Sequence, residues 1–186
     1  MKTRDLTFLA LMAALLAALE GFLGGYLHAV DFPFTGSLMV GINLIFYLIA
    51  KRRVPFKGSV LLLGLVLALL RFALFPGFSL MPALAIFWEA AILELVFILA
   101  GTGVKGAVAG GILASYAVLA FRLASLYLMV HLGGMAPNLH PFGEWVDSLD
   151  AGLKLLLVVA PAAYGIIMGL VAFQLAGMME RRLRRG

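Results

Sequence analysis

The sequence predicts an all-α integral membrane protein, a compact bundle of six transmembrane helices with both termini in the cytoplasm. Three observations lead to this prediction. The 186 residues are 64% hydrophobic and only 12% charged, whereas soluble domains are about half apolar and a quarter charged. Long apolar runs recur along the chain, and about 20 such residues cross a bilayer as a helix. Basic residues fall almost entirely in alternate gaps between those runs.

The whole chain, residues 1–186, is treated as a single transmembrane domain because no linker, repeat or low-complexity tract interrupts it. The apolar runs predict helices over residues 6–29, 36–50, 58–75, 80–100, 104–132 and 152–179. The first run continues past Glu20 without a small-x-small cleavage site. We therefore interpret it as a retained helix and not as a signal peptide.

Proline and glycine mark the ends of the next helices. The gaps read DFPFTG (31–36), KRRVPFKG (51–58), FPGFS (75–79) and GTGVKG (101–106), which are typical turn and stop signals. The longest gap, GGMAPNLHPFGEWVDSLDAG (133–152), precedes the last helix. Its mixture of Pro, Gly, His and Trp predicts an ordered loop or a short interfacial helix.

The basic residues predict the orientation of the bundle. Eleven of the 14 Lys and Arg residues lie at the termini or in the second and fourth gaps, on one side of an even-numbered bundle: Lys2, Arg4, Lys51, Arg52, Arg53, Lys57, Lys105, Arg181, Arg182, Arg184 and Arg185. The positive-inside rule then places both termini in the cytoplasm, and we expect the protein in the cell (plasma or inner) membrane. These anchors explain the pI of about 9.8 without a nucleic-acid partner.

Five ionisable residues remain inside the predicted helices: Glu20, Arg71, Glu89, Glu94 and Arg122. A charge at bilayer depth costs about 3 kcal/mol on insertion scales, so such residues face the protein interior and pair there, or line a watery cavity. The topology places Glu20, Arg71 and Arg122 in the outer half of the bundle and Glu89 near the middle. Their convergence would form an outward-facing polar pocket, although buried Glu–Arg pairs that simply pin helices together remain an alternative.

The two acids of the fourth predicted helix are expected to have different roles. Five residues along a helix correspond to about 7.5 Å and a rotation of about 140°, so Glu89 and Glu94 do not share a face. Glu89 is the candidate for the outward cavity. Glu94 is expected to serve a structural or coupling contact nearer the cytoplasm.

Aromatic and basic side chains supply further candidates for substrate contacts. Trp88 could stack on a flat ring, although lipid-facing or core packing explains it equally well. Trp145 in the long loop and Lys154 at the start of the last helix could roof the pocket. No catalytic residue, metal site or cofactor is predicted, because cysteine is absent and no phosphate-loop, GxSxG or HExxH motif occurs.

Small residues fall within a narrow band at helical spacing on the first helix: Ala10, Ala14, Ala17, Gly21 and Gly24. Weaker repeats are Gly106-x-x-x-Gly110 and Gly165-x-x-x-Gly169. Small residues let membrane helices approach closely. The pattern is compatible with internal packing and with a docking face for another membrane protein.

The opening LTFLALMAALLAALEG, the six predicted helices, the cytoplasmic termini and the long loop before the last helix together resemble the substrate-binding S component of energy-coupling factor (ECF) transporters. The resemblance implies a receptor, not an enzyme, that captures a vitamin or similar micronutrient from outside. It implies as partners a membrane coupling protein, contacted through Ala10, Ala14 and Ala18, and two cytoplasmic ATPases. Family pockets draw on later helices and outer loops, which favours Glu89, Arg122, Trp145 and Lys154. Metal-binding members carry histidine after the initial methionine, and Lys2 at that position disfavours a metal substrate.

Two other function classes remain open from the sequence. The chain could be a membrane scaffold or cell-shape subunit, in which the buried charges are structural and the small-residue faces bind partners. It could also be a lipid-active membrane enzyme with Glu89 or Glu94 as acid or base, although no nucleophile or metal set accompanies them.

Overall fold

A computed structural model of the chain describes residues 2–30, 35–74, 80–132 and 150–183, and this part is all-helical. The first predicted helix is a continuous rod built from α1 (Thr3–Leu19), a π-helical turn (Glu20–Gly24) and α2 (Gly25–Ala29). The following helices are α3 (Thr35–Arg53), α4 (Ser59–Leu74), α5 (Leu80–Ala100), α6 (Val104–Leu132) and α7 (Ala151–Leu183). The predicted six-helix organisation is therefore present in the described residues. The loop predicted over 133–152 lies almost wholly outside them.

Two helices end later than the sequence predicts, and both C-terminal extensions carry basic residues. α3 continues through Lys51, Arg52 and Arg53, and α7 continues to Leu183 through Arg181 and Arg182. Lys and Arg have good helix propensity, and their charge interacts favourably with the negative end of the helix dipole.

Among the residues that the structure describes, four helical segments are long and apolar enough to cross a membrane: Thr3–Leu27, Pro82–Ala100, Val104–Phe121 and Val158–Arg182. Helix α4 is apolar but shorter. These segments support a multi-pass membrane protein.

Helix α3 lies at the centre of the bundle. It packs against the first helix and against α4, α5, α6 and α7, and Leu44, Tyr47 and Leu48 are completely buried. Its central place explains how a helix with polar residues inside the bundle fits the fold, because the buried Asn43 and Lys51 meet protein and not lipid.

Glycines set the close approach of α6 and α7. A Cβ atom built on Gly165 would lie 2.5 Å from the carbonyl oxygen of Gly111, and one on Gly169 would lie 2.6 Å from that of Ala107. Only hydrogen fits in these gaps, so the two helices pack backbone against backbone. The Gly165-x-x-x-Gly169 repeat is therefore an internal packing motif.

Basic side chains collect at one end of the bundle, called the basic end, which carries Lys51, Arg52, Arg53 and Arg181. Arg52 donates through Nε (3.2 Å) and Nη2 (2.7 Å) to the carbonyl oxygen of Thr102. Its guanidinium also lies 4.8 Å from the ring centre of Phe173. These contacts join the end of α3 to the α5–α6 connection and to α7. The opposite end, where α4 ends and α5 begins, is called the far end.

The α6–α7 contact predicts that replacing glycine by alanine has opposite effects on stability at two positions of α7. Gly165→Ala should lower the melting temperature, because the added methyl group collides with the backbone of α6. Gly177→Ala is the matched control, since a Cβ there meets nothing within 4 Å and alanine is favoured in a helix by about 1 kcal/mol. Thermal unfolding in detergent would measure both, and equal stabilisation by the two variants would contradict the packing described.

Candidate functional site

A buried asparagine joins the two acids that lie deepest in the far half of the bundle. The amide nitrogen Nδ2 of Asn43, on α3, donates to Glu20 Oε1 at 2.8 Å and to Glu89 Oε2 at 3.2 Å. All three residues are at most 3% exposed. A neutral amide therefore bridges carboxyl groups from two other helices.

Arg71, near the end of α4, completes this cluster. Its Nη1 forms an ion pair with Glu20 Oε2. Both oxygens of Glu20 therefore have a partner, one from Asn43 and one from Arg71. The four side chains come from the first helix, α3, α4 and α5, and we call them the polar cluster.

The π-helical turn brings Glu20 into the cluster. A π turn adds a residue to a helix and changes the direction of the side chains around it. The turn contains Gly21 and Gly24, and Gly25 follows, which weakens the preference for a regular α-helix. A Cβ at Gly24 would lie 3.8 Å from the sulfur of Met39 and 3.9 Å from Arg71 Nη2, which are ordinary contact distances, so packing does not require glycine there.

The polar cluster lines a cavity of about 140 Å³, the central cavity. Its wall extends along α5 from Glu89 to Pro82, a distance of about 10 Å at 1.5 Å per residue. Thr35 and Gly36, at the start of α3, also line it. The cavity thus runs from the middle of the bundle towards the far end.

Two buried oxygen atoms of the cluster have no hydrogen-bond partner among the described residues: Asn43 Oδ1 and Glu89 Oε1. Buried polar atoms are nearly always hydrogen-bonded in native proteins, to protein or to ordered water. The deep end of the central cavity therefore has spare capacity to accept hydrogen bonds.

Glu94 has a different environment, as predicted from its rotation away from Glu89. It forms an ion pair with Lys51 of α3 and accepts hydrogen bonds from the backbone nitrogens of Gly58 (2.7 Å) and Val60 (2.9 Å) at the start of α4. Lys51 Nζ also donates to the carbonyl oxygen of Phe56 at 2.9 Å. Glu94 thus fastens the α3–α4 connection to α5, which is a structural contact.

The structure brings together three of the predicted substrate contacts, Glu20, Arg71 and Glu89. Trp88 is 51% exposed on the outside of α5 and does not line the central cavity. Arg122 follows the cavity-lining Val118 by about one turn of α6, but its side chain lies outside the described part. The Lys154 side chain and the whole of Trp145 also lie outside it.

The predicted partner-docking residues Ala10, Ala14 and Ala18 are all exposed on the first helix. Ala13 and Ala17, on the adjoining face, are completely or almost completely buried. The alanines of this helix therefore divide into a packed face and a free face.

Sequence reasoning missed two residues of these networks. Asn43 carries no charge and is not among the ionisable candidates, although a lone asparagine in the apolar run GINLIF is a usable signal. The sequence groups Lys51 with the topology anchors Arg52 and Arg53, yet Lys51 is only 7% exposed. Nothing in the run of basic residues distinguishes the one that turns inward.

No group of three or more His, Asp or Glu side chains within the described ranges could hold a metal ion.

No protein-family model matches the chain, and comparison with curated proteins and with solved structures gives no significant match either. The chemistry that the described site offers is an array of hydrogen-bond acceptors beside two carboxyl groups and one guanidinium.

The contacts of Glu94 predict that its removal is costly. Glu94→Ala leaves Lys51 buried without its counter-charge and two backbone nitrogens without acceptors, so we expect a loss of about 3–5 kcal/mol. Glu180→Ala is the control, because Glu180 is a more exposed acid 3.9 Å from Arg52 and such pairs contribute about 0–1 kcal/mol. Chemical unfolding in mixed micelles would compare them, and similar small losses would contradict a structural role for Glu94.

Proposed function

We propose that this chain is the membrane-embedded substrate-binding subunit of an ECF-type importer. In this proposal it captures a vitamin or similar small organic micronutrient from outside the cell and passes it on together with a coupling protein and two ATPases. The observation that carries the proposal is the central cavity, where buried acceptor atoms of Asn43 and Glu89 have no partner among the described residues.

The energetics of buried polar atoms support binding at this place. A buried polar group without a hydrogen bond costs roughly 1–3 kcal/mol, and a cluster that served only to hold helices together would gain by satisfying all of its members. Glu20 and Arg71 form an ion pair, whereas one oxygen each of Asn43 and Glu89, two residues that line the central cavity, has no hydrogen-bond partner among the described residues. A solute with hydrogen-bond donors would satisfy both.

The size of the central cavity indicates how a solute would sit. Pockets for drug-sized molecules measure about 300–1,000 Å³, and the described cavity measures about 140 Å³. It therefore takes one end of a micronutrient. The remainder would extend towards the far end, where Arg122, Trp145 and Lys154 are the proposed further contacts.

The orientation proposed for the bundle follows from its charges. The positive-inside rule assigns the basic end, with Lys51 to Arg53 and Arg181, to the cytoplasm. The central cavity then extends towards the outer surface. A solute would enter from outside and meet the polar cluster at mid-depth.

The free alanine face supports the proposed docking to a coupling protein. Ala10, Ala14 and Ala18 present small side chains to the surroundings, and such a surface lets a partner helix approach closely. The chain contains no phosphate-binding loop, so the proposed transport draws its energy from the partner ATPases.

A scaffold without a ligand is the second candidate, and the ion pairs favour it. Lys51–Glu94 and Arg71–Glu20 each join different helices, as a purely structural network would. A lipid-active enzyme is less well supported. Glu94 is occupied by Lys51 and two backbone nitrogens, which leaves it poorly placed to act on a substrate.

The receptor proposal predicts that a small molecule co-purifies with the protein. Mass spectrometry should detect a solute bound to the purified wild type and to Glu180→Gln. It should detect much less with Asn43→Leu, because this substitution removes the bridging amide.

The scaffold makes the opposite prediction. Without a ligand, Glu89→Leu would be neutral or stabilising, since replacing a buried polar group by a hydrocarbon of similar size removes its desolvation cost. That result, with no solute found, would exclude the receptor.

The docking proposal predicts an effect of added bulk on the free alanine face. Ala14→Leu should reduce the amounts of coupling protein and ATPase recovered with the tagged chain from native membranes, because the larger side chain separates the helices. Ala163→Leu is the matched control, an exposed alanine on α7. Equal recovery with both variants, measured by quantitative proteomics, would contradict docking through this face.

A further inference from the structure

The two acids of the central cavity differ in their partners. Three ionisable side chains among the described residues line it: Glu20, Arg71 and Glu89. Arg71 is paired with Glu20. Glu89, by contrast, has its described hydrogen bond from the neutral amide of Asn43. Glu89 is therefore the acid of the cavity whose described partner is a neutral group and not a cation.

The oxygen atoms of Asn43 and Glu89 that have no partner among the described residues are both hydrogen-bond acceptors. An asparagine amide has two N–H donors and one carbonyl acceptor. Asn43 uses Nδ2 on Glu20 and on Glu89, which fixes the direction of its amide and leaves Oδ1 as an acceptor. Glu89 Oε1 is also an acceptor without a partner among the described residues. A group that binds here has to donate at least two hydrogen bonds.

We propose that the deep end of the central cavity binds a cationic nitrogen group of the solute, of ammonium or amidinium type, against Glu89 and Asn43 Oδ1. This inference rests on the proposed function and adds to it the chemical class of the ligand's buried end. A cation pairs with the carboxylate form of Glu89, and hydrogen bonds between a cation and a carboxylate are roughly twice as strong as neutral ones. An anionic group would be repelled by that carboxylate.

The geometry favours a compact organic cation over a divalent metal ion. Calcium takes six to eight oxygen ligands and magnesium a near-ideal octahedron, and no set of three metal-ligating acids or histidines occurs within the described ranges. The cavity of about 140 Å³ is close to one of about 150 Å³ that accommodates benzene. A group of three or four heavy atoms therefore fits beside Glu89.

The test uses three probes of the same shape and different charge: acetamidinium (+1), acetamide (0) and acetate (−1). The full chain in lipid nanodiscs is titrated with each probe at constant ionic strength and sodium concentration, and its melting temperature is recorded. A ligand that binds only the folded state raises stability with its concentration. We expect acetamidinium to bind at least tenfold more tightly than acetamide, and acetate to give no shift.

Variants then locate the effect. Glu89→Gln preserves shape and removes the charge, so the acetamidinium shift should fall at least tenfold. Asp5→Asn, an acid at the basic end and away from the central cavity, should preserve it. If Glu89→Gln does not fold, the comparison of the three probes on the wild type still tests the sign of the preferred charge.

The outcomes separate this inference from the proposed function. Equal shifts by acetamidinium and acetamide, an acetamidinium shift that persists in Glu89→Gln, or no shift with any probe would overturn the cationic subsite. A co-purifying solute that carries no cationic nitrogen would also overturn it, and would leave the receptor proposal in place. The receptor proposal itself falls only if no solute is found.

Discussion

The amide of Asn43 is the contact on which the far half of this bundle depends. Two carboxyl groups buried in one apolar bundle repel each other, and each is costly to remove from water. Asn43 gives each of them a hydrogen bond from the central helix, and Arg71 adds a charge to one side only. The result is a polar cluster whose members are joined by hydrogen bonds and one ion pair. Two of its oxygen atoms have no hydrogen-bond partner among the described residues, and its residues line a cavity.

Helix α5 carries two acids that differ in how many of their oxygen atoms have hydrogen-bond partners. Glu94 contacts a lysine and two backbone nitrogens. These contacts use both of its carboxylate oxygens and join α3, α4 and α5 at the basic end. Glu89, about 7.5 Å away along the same helix, retains a free oxygen. Helix α5 thus supplies a structural attachment at Glu94 and a side chain with a free acceptor at Glu89. The attachment at Glu94 keeps Glu89 in position.

Small residues likewise have two distinct roles. Gly165 and Gly169 lie in the backbone contact between α7 and α6, whereas Ala10, Ala14 and Ala18 are exposed. Their sequence patterns are nearly the same, because both repeat every four residues. Only the position of the helix in the bundle distinguishes a packing motif from a surface open to a partner.

The sequence by itself determined the helices, their approximate limits and the separation of Glu89 from Glu94, because apolar periodicity, proline and glycine stops and helical rotation are local properties of the chain. It also singled out Glu20, Arg71 and Glu89, because ionisable residues are conspicuous in apolar runs. Tertiary structure alone decided the partners. Asn43 became the bridge and Lys51 an interior cation because α3 lies at the centre of the bundle, and pairing between helices depends on depth and rotation in three dimensions, which no single helix encodes.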